Sequence, residues 1–537
     1  MLALLVLLIA VRNVPWRLDN FDQAKSAYIS LEMLQGDAAS RWWYPHLPGQ
    51  FHLATKPPLA GWLSALLYQP CLGNWELAWR LPSLLAAFAL TLALWRAGRE
   101  EWPRLGGVLT LGAFGLNVLT PRLATLVRTD MLLTLWITLP GLLIWWKLHR
   151  GLARPSPAAL AWTGRERLLI AASVFLGMMT KGPVVYAFLL PGLLLHAWLS
   201  RRRGWHATAP AWSGWAEWLL PFLPFAIWLA VGIWQVPGFY EHVVGREFLG
   251  RFTVGERALH TNQPVWFYFL QGLVRWGPWS LLLLGVFFLA PSPRRWWRAL
   301  TGDPATLWLF CWAAGGFVLM SLVPSKRVDR IFPVAPPLCL LLTAALARLH
   351  REQQSTDLVV TNDTAPTRVA FWSRATLAVA LIATCASTAY YVQQGVKKRA
   401  GRLASFGAHA RKLVAQRGWR CEVISDLPQF DEAMLVYLRR LRFLSPTEAL
   451  AARDAGQAQA FVLPERLLGD DATWRERLGD FEILWQSAGG NASSGSRPPA
   501  AAAKRKMNLD AAQQQYLLIH WPEAKRPAAA NSSALER

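Results

Sequence analysis

LLIAASVFLGMMTKGPVVYAFLLPGLLLHAWLSRRR, residues 168–203, decides what kind of molecule this is. Two apolar runs, 168–181 and 183–200, meet at the tight tip Lys181-Gly182-Pro183, and Arg201-Arg202-Arg203 closes the second run. Runs of this kind approach or reach the ~17–25 residues that cross a bilayer as a helix. Gly182 permits the close backbone approach that so short a turn requires. The stretch reads as a transmembrane hairpin with a lone cation at one end and a basic cluster at the other. Further spans are expected at 1–15, 80–97, 105–121, 130–148, 216–235, 267–290, 304–323, 331–349 and 371–392, eleven in all. The run 57–72 is short and reads as a helix lying at the membrane surface. The first span carries Arg12, with no basic segment before it and no small-residue cleavage site after it. It reads as an anchor rather than a signal peptide.

Composition agrees. The 537 residues are 53% hydrophobic and 17% charged, with a mean hydropathy of +0.22. This excludes a disordered chain, a collagen and a disulfide-stapled mini-protein. The five cysteines, Cys71, Cys311, Cys339, Cys385 and Cys421, show no metal-ligand spacing and no disulfide framework. A net charge of +23 would suggest nucleic acid in a soluble protein. Here much of the excess lies in five clusters: Arg96/Arg99/Arg104, Lys147/Arg150/Arg154/Arg165/Arg167, Arg201–Arg203, Arg294/Arg295/Arg298 and Arg348/Arg351/Arg368/Arg374. All five fall on one face if the eleven segments span and 57–72 does not. That face is the cytoplasmic one. No nucleic-acid partner is expected.

The loops of the opposite face carry the chemistry. Asp19 and Asp22 lie in the first, 16–79, with Lys56 before Pro57-Pro58; Arg122, Arg128 and Asp130 lie in the second. Lys181 is at the hairpin tip. Arg246, Glu247, Arg251, Glu256 and His260 lie in the fourth, and Ser325, Lys326, Arg327, Asp329 and Arg330 in the last. Cations are normally depleted from short outer loops. Several of them beside a few carboxylates suit an anionic headgroup next to a catalytic acid, since Lys and Arg bind phosphate through charge-assisted hydrogen bonds. Most of the 31 tryptophans, including Trp42-Trp43, Trp145-Trp146 and Trp296-Trp297, are expected in aromatic belts at span ends.

These loops resemble a family. Asp22-Gln23-Ala24-Lys25, Tyr28, Leu31-Glu32-Met33-Leu34, Gly36-Asp37 and Lys56-Pro57-Pro58-Leu59 follow the first-loop signature of the GT-C fold glycosyltransferases. That group includes the lipid A aminoarabinose transferases and the protein O-mannosyltransferases. Arg80-Leu81-Pro82-Ser83, Arg128-Thr129-Asp130, Thr180-Lys181-Gly182-Pro183, Glu247 to Phe252 with His260 and Gln263-Pro264, and Ser325-Lys326 before Arg330 continue the order over about 20–340. The resemblance implies inverting transfer of a sugar from a polyprenyl-phosphate donor to a glycolipid or protein acceptor outside the cytoplasm. It implies Asp22 as the acceptor-side catalytic group, and Asp130 as a second carboxylate there or as the group that fixes Arg128. Lys56, Arg128, Lys181, Lys326 and Arg330 would hold the donor phosphate. Asp19, Tyr28, Arg80, Glu247, Arg251 and His260 would contact substrate. Two positions depart from the pattern. Gln23 stands where the family has the second acid of an Asp-Glu pair, and Thr55 where the aminoarabinose transferases carry a metal-ligating Glu. His260 alone is not a zinc site. No metal or other cofactor is expected.

The expected architecture is an all-α polytopic membrane protein of GT-C type, with about 11–13 transmembrane helices over 1–392. A small soluble α/β domain follows over 393–487, outside the cytoplasm. Residues 488–537 read as a flexible tail holding one apolar island, Tyr516-Leu517-Leu518-Ile519, a candidate final strand. The expected setting is a bacterial inner membrane, the expected state a monomer. A transporter or flippase of lipid-linked sugars is the alternative. It would place ionisable residues near mid-membrane rather than in loops.

Overall fold

The computed structural model describes residues 2–13, 18, 21–36, 38–47, 53–153, 161–205, 212–252, 263–288, 297, 301–357, 366–398, 402–470, 472–487 and 515–521. The chain divides into two compact units. One is Met1–Val14 with Thr55–Val396, the other Pro15–Ala54 with Lys397–Arg537. In chain order the helices are α1 (Leu2–Asn13), α2 (Phe21–Gln35), α3 (Leu59–Leu66), α4 (Trp75–Glu101), α5 (Gly106–Gly115), α6 (Asp130–Ala153) and α7 (Gly164–Lys181). They continue with α8 (Val184–Arg202), α9 (Phe222–Gln235), α10 (Phe267–Arg275), α11 (Trp279–Phe288), α12 (Pro304–Leu322), α13 (Ala335–Asp357) and α14 (Pro366–Lys398). The second unit adds α15 (Arg402–Arg417), β1 (Cys421–Val423), α16 (Pro428–Leu438), α17 (Pro446–Asp454), β2 (Ala460–Pro464), α18 (Arg466–Asp470), α19 (Ala472–Leu478), β3 (Glu482–Gln486) and β4 (Tyr516–His520).

Among the described residues, seven helical segments are long and apolar enough to cross a membrane: Trp75–Glu101, Asp130–Leu152, Val184–Arg202, Ala216–Gln235, Pro304–Leu322, Val328–Arg351 and Arg374–Gln393. Each matches an expected span. Three of the other four expected spans come out differently, each for a local reason. In 1–15, the described residues form α1, Leu2–Asn13, and the residues on either side lie outside the described ones. In 105–121, α5 stops after ten residues. Asn117 ends it, its Oδ1 accepting from the amides of Leu119 and Thr120 at 2.9 Å and its Nδ2 donating to the Phe114 carbonyl at 2.6 Å. In 168–181, α7 starts earlier, at a capping box of Thr163 and Glu166, so its first turn carries Arg165, Glu166 and Arg167. The run 267–290 breaks into α10 and α11 around Gly277-Pro278, since proline cannot donate to the helical ladder. The tryptophans of that break point inward: Trp276 and Trp279 donate their indole N–H to the carbonyls of Ala113 and Leu116 at 2.7 and 2.9 Å. Trp145, expected in an aromatic belt, is fully buried and stacked on His149.

The closest helix pair of the first unit is α8 against α12. Apolar helices in lipid gain little from hydrophobic contrast with one another, so close approach of small residues holds them. Gly192, Gly315 and Gly316 form that seam. A Cβ on Gly315 would lie 2.5 Å from the Gly192 amide nitrogen, and one on Gly192 2.8 Å from the Trp312 Cα. Asp303 caps α12, accepting from the Thr306 amide at 2.8 Å, with Pro304 at the first helical position.

The second unit is a four-stranded sheet in the order β1-β2-β4-β3. β1 and β2 run parallel, and β4 is antiparallel to both β2 and β3. The island at 516–519 is therefore an inner strand of this sheet, and the folded unit reaches residue 521. β2 and β4 are buried along their whole length, which explains why both read as apolar runs without alternation. Phe461, Leu463, Leu517, Ile519, Trp474 and Trp521 centre the core. Residues of the first outer loop, expected with the transmembrane domain, belong to this unit. Helix α2 presents Ala24, Ala27, Tyr28 and Leu31, the i, i+3, i+4, i+7 stripe, all 0% exposed. It packs on α16, with Lys25 paired to Glu432 at 3.5 Å.

Gly315→Val should break the α8–α12 seam and cost about 1–3 kcal/mol, the usual penalty of overpacking. A thermal melt of the detergent-solubilised chain checks this, and an unchanged midpoint would refute the close-approach account.

Candidate active site

In the first unit the ends of α6 and α7 bring two opposite charges together. Asp130 is the first residue of α6 and Lys181 the last of α7, and the Lys181 Nζ donates to the Asp130 carboxylate at 2.5 Å. Each charge sits at the helix end whose dipole favours it, an anion at an N-terminus and a cation at a C-terminus. Gly182 makes the turn possible. Its φ of +75° lies in the left-handed region, and a Cβ there would press on the Phe248 ring at 3.1 Å.

Around this pair lie more cations. Lys56, in the turn before α3, is within electrostatic reach of Lys181, Asp130, Arg251 and Arg128. Arg251 and Arg330 are within reach of Lys181 and of one another. Burial, then the neighbouring Lys181 cation, holds the Lys56 ammonium down to about 7. Burial and Arg330 likewise bring Arg251 down to about 10. The carboxylates are fewer. Arg128 pairs with Asp329 at 2.9 Å, with Arg122 3.9 Å from the same carboxylate. Arg251 pairs with Glu247, its Nε also donating to the Glu247 carbonyl at 2.7 Å. Asp130, Asp329 and Glu247 thus face Lys56, Arg122, Arg128, Lys181, Arg251 and Arg330, and the cluster keeps a positive excess. Buried like charges raise one another's free energy, so such a cluster favours an anion.

The backbone around the cluster is held by its neighbours. Ser83 Oγ lies 2.9 Å from the Leu126 carbonyl and 3.2 Å from that of Arg128, fixing the loop that carries Arg128. Arg330 donates to the Ser325 carbonyl at 2.7 Å, and Lys326 to the Gln263 carbonyl at 2.9 Å.

The expected residues therefore separate. Lys56, Arg128, Asp130, Lys181, Arg251 and Arg330 come together. Lys326 is 5% exposed with its ammonium on a backbone carbonyl, so it staples the last loop to the Gln263 segment. Arg128 pairs with Asp329, while Asp130 is bonded to Lys181 and lies within electrostatic reach of Arg128. A carboxylate bonded to a buried ammonium is also a poor general base, so the geometry makes Asp130 a positioning residue for Lys181. Arg80 is 2% exposed and bonds the Glu76 carbonyl and carboxylate one turn earlier, at 2.9 and 3.2 Å. Tyr28 is buried in the second unit and donates to the Leu441 carbonyl at 2.6 Å. Asp22 lies in the first turn of α2, but its side chain, like Asp19 and His260, falls outside the described residues. Asp329 was noted in the last outer loop but given no role from sequence, and Tyr268 was not noted. Asp329 had a signal, its place one residue before Arg330; buried Tyr268, within electrostatic reach of Arg330 and Arg251, had none. Among the described residues no three His, Cys, Asp or Glu side chains gather where a metal could bind, and Thr55 supplies no carboxylate.

No family model matches the chain. In sequence it is similar to the undecaprenyl phosphate-alpha-4-amino-4-deoxy-L-arabinose arabinosyl transferase 1 of Sodalis glossinidius, 29% identical over 60% of this chain and 54% of that one. Transferase 2 of the same description from Pseudomonas fluorescens is 28% identical over 60% of this chain and 52% of its own. The matched stretch spans about half the length of these relatives. In structure the chain is similar to ArnT from Cupriavidus metallidurans, crystallised with undecaprenyl phosphate. Identity is 17%, coverage 96% and 97%, and the TM-score 0.60. The two share a fold. The archaeal oligosaccharyltransferase AglB from Archaeoglobus fulgidus, solved with a dolichol-phosphate, aligns over 89% of this chain and 71% of its own. It is 12% identical, with a TM-score of 0.50. The resemblance read from the loop motifs and the multi-pass, GT-C type architecture both stand on these likenesses.

Removing one partner of a buried pair leaves a charge uncompensated, at a cost of about 3–5 kcal/mol. Asp130→Asn and Lys181→Met should each destabilise strongly. The double variant should lose at least ~1 kcal/mol less than the two losses together. Additive losses in a double-mutant cycle of detergent-phase unfolding would show that the pair is not energetically coupled.

Proposed function

We propose that the chain is an inverting membrane glycosyltransferase that takes a sugar from a polyprenyl-phosphate donor, undecaprenyl phosphate-linked aminoarabinose or a close relative of it. The sugar passes to a hydroxyl- or phosphate-bearing glycolipid, or to a protein, on the extracytoplasmic side of a bacterial inner membrane. The observation that carries this reading is the buried excess of cations around the Lys181–Asp130 pair. It lies at the ends of α6 and α7 rather than within their lengths. Charges at helix ends suit a reaction at the membrane edge better than the mid-membrane site of a flippase. The activities for which the relatives are named and the basic clusters at the other ends of the spans support the same reading.

The chemistry follows from charge. When the bond from the sugar's anomeric carbon to the phosphate oxygen breaks, the phosphodiester's single negative charge becomes the two of a departing monoester. Lys56, Lys181, Arg128, Arg251 and Arg330 stabilise that added charge without reorganising water, because they are already buried and oriented. Asp130 keeps the Lys181 ammonium aimed, and Asp329 keeps Arg128 in place. The acceptor attacks the face opposite the phosphate, which inverts the anomeric centre. Asp22 is the proposed acceptor-side group, taking a proton from the nucleophile or orienting it.

Asp22→Asn should lower kcat by about 10²–10⁴-fold, the range of general acid–base contributions, with donor KM little changed. The assay uses labelled undecaprenyl phosphate–sugar and a panel of acceptors; full turnover in Asp22→Asn would sink the assignment. Lys56 adds a pH dependence. Below about pH 7 it carries its proton in the free site as well as the bound one. Above that value the free ammonium gives up its proton, and binding the anion must take it back. Donor affinity should therefore fall as pH rises from about 7 to 9, by as much as tenfold per unit, with measurable proton uptake. The phosphodiester keeps one charge throughout, so with a donor analogue that lacks the sugar amine the change belongs to the protein. Lys56→Arg, charged across that range, should flatten the profile. A flat profile in the unmutated chain would refute the role of Lys56.

A further inference from the structure

Within the second unit a polar cavity of about 420 Å³ opens between the end of α2 and the turn after α16. Arg41, Arg439, Arg440 and Arg442 line it, with Glu422 and Gln35. Among the described residues four guanidinium groups and one carboxylate line it, with Glu32 behind Arg41, which leaves a positive excess, and the volume lies in the range of small-molecule sites. The first three of those arginines are half-buried and Arg442 is exposed. Both walls are fixed from behind. Buried Glu32 holds Arg41 at 3.5 Å and takes the His46 amide at 2.6 Å. Tyr28 holds the Leu441 carbonyl at 2.6 Å, in the middle of the Arg440–Arg442 turn.

The backbone supplies an independent observation. Arg439 ends α16 with φ +61° and ψ +43°, the left-handed cap position that glycine fills by default because it has no Cβ to clash. A side chain there costs about 1–2 kcal/mol. The cap itself is well made, with the Arg440 amide donating to the Leu435 carbonyl at 2.8 Å and the Arg439 amide to that of Val436 at 3.2 Å. The Arg439 guanidinium also donates to the Val436 carbonyl at 3.3 Å. What arginine adds is a guanidinium that lines the cavity.

We propose that this cavity binds a phosphorylated saccharide, as a soluble sugar phosphate or as the headgroup of a glycolipid. The planar forks of Arg440 and Arg442, with Arg439 and Arg41, match phosphate oxygens two at a time. Glu422 gives the ligand's hydroxyl or ammonium groups an acceptor, which favours a phosphate carried on a sugar over the bare ion. The cavity lies wholly inside the second unit and is read independently of the transfer reaction proposed above, so either can fail without the other.

Binding is measured by calorimetry on the full detergent-solubilised chain, saturated with undecaprenyl phosphate so that the cationic cluster of the first unit is occupied. The probes are glucosamine 1-phosphate, glucosamine, inorganic phosphate and a phosphoglycolipid in mixed micelles. Glucosamine 1-phosphate should bind at least tenfold more tightly than inorganic phosphate, and glucosamine should not bind. Arg440→Ala/Arg442→Ala should weaken glucosamine 1-phosphate at least tenfold. Glu422→Gln should narrow its advantage over inorganic phosphate. Arg439→Gly separates function from folding: affinity should drop while the melting midpoint holds or rises. Micellar glycolipid binding more tightly than the soluble sugar phosphate would identify the headgroup as the source, and the reverse order the soluble form. Equal affinity in the double variant, glucosamine binding as well as its phosphate, or Arg439→Gly lowering the midpoint with affinity intact would each overturn the proposal.

Discussion

A carboxylate and an ammonium 2.5 Å apart, at the facing ends of two helices, set the terms for the first unit. In a membrane protein such a pair has few places to be. Within the hydrocarbon a lone charge costs about 2.5–3.5 kcal/mol on insertion scales, and in water the pair contributes little. At helix ends the dipoles of α6 and α7 favour both charges, and neighbouring protein excludes most water. The left-handed backbone at Gly182 follows from this placement, because Lys181 must end one helix while Pro183 begins the next. The pair neutralises itself and leaves the other cations to be satisfied elsewhere. Asp329 and Glu247 take Arg128 and Arg251. The remaining positive charge is the capacity of the site for an anion.

Apolar length carried most of the fold. Seven spans were readable because a bilayer imposes one length on every helix that crosses it. The runs that misled were those in which a short polar signal overrode the hydropathy. Asn117 ends α5 by taking two amides into its own side chain. The charged first turn of α7 lies upstream of its apolar run, where hydropathy does not look. The inner strand at Tyr516–His520 follows a long segment rich in Ala, Gly, Ser and Pro, and nothing local says that it crosses into a sheet begun at Cys421. Its lack of alternation was a true signal of burial on both faces, but it fits a strand or a helix equally.

The site was legible in its members more than in its connections. Cations in outer loops break the charge rule one at a time, so Lys56, Arg128, Lys181, Arg251 and Arg330 could each be noticed alone. Their partners could not be assigned, because the pairings span long separations. Arg128 meets Asp329 across 201 positions, while Asp130, two residues away, turns to Lys181. Sequence proximity offered Asp130 alone and did not name Asp329 as a partner of Arg128. Arg80 and Tyr28 belong to recognisable motifs, and both are buried, one bonded within its own helix and the other to the Leu441 carbonyl. A motif marks where residues recur together without saying which of them faces a ligand.

Two positions break local rules in the same direction. Lys56 is an ammonium buried among cations, held down to about 7. Arg439 carries a long side chain at a backbone angle that suits glycine. One adds repulsion, the other backbone strain. On the two readings proposed above, the arrival of an anion offsets both. A phosphate beside Lys56 turns repulsion into attraction, and one beside Arg439 repays the strain with charge-assisted hydrogen bonds. Unfavourable local choices of this kind concentrate at functional sites because stability alone would remove them. On those readings the two units reach the same chemistry by separate means, the first by desolvating an amine and the second by straining a backbone.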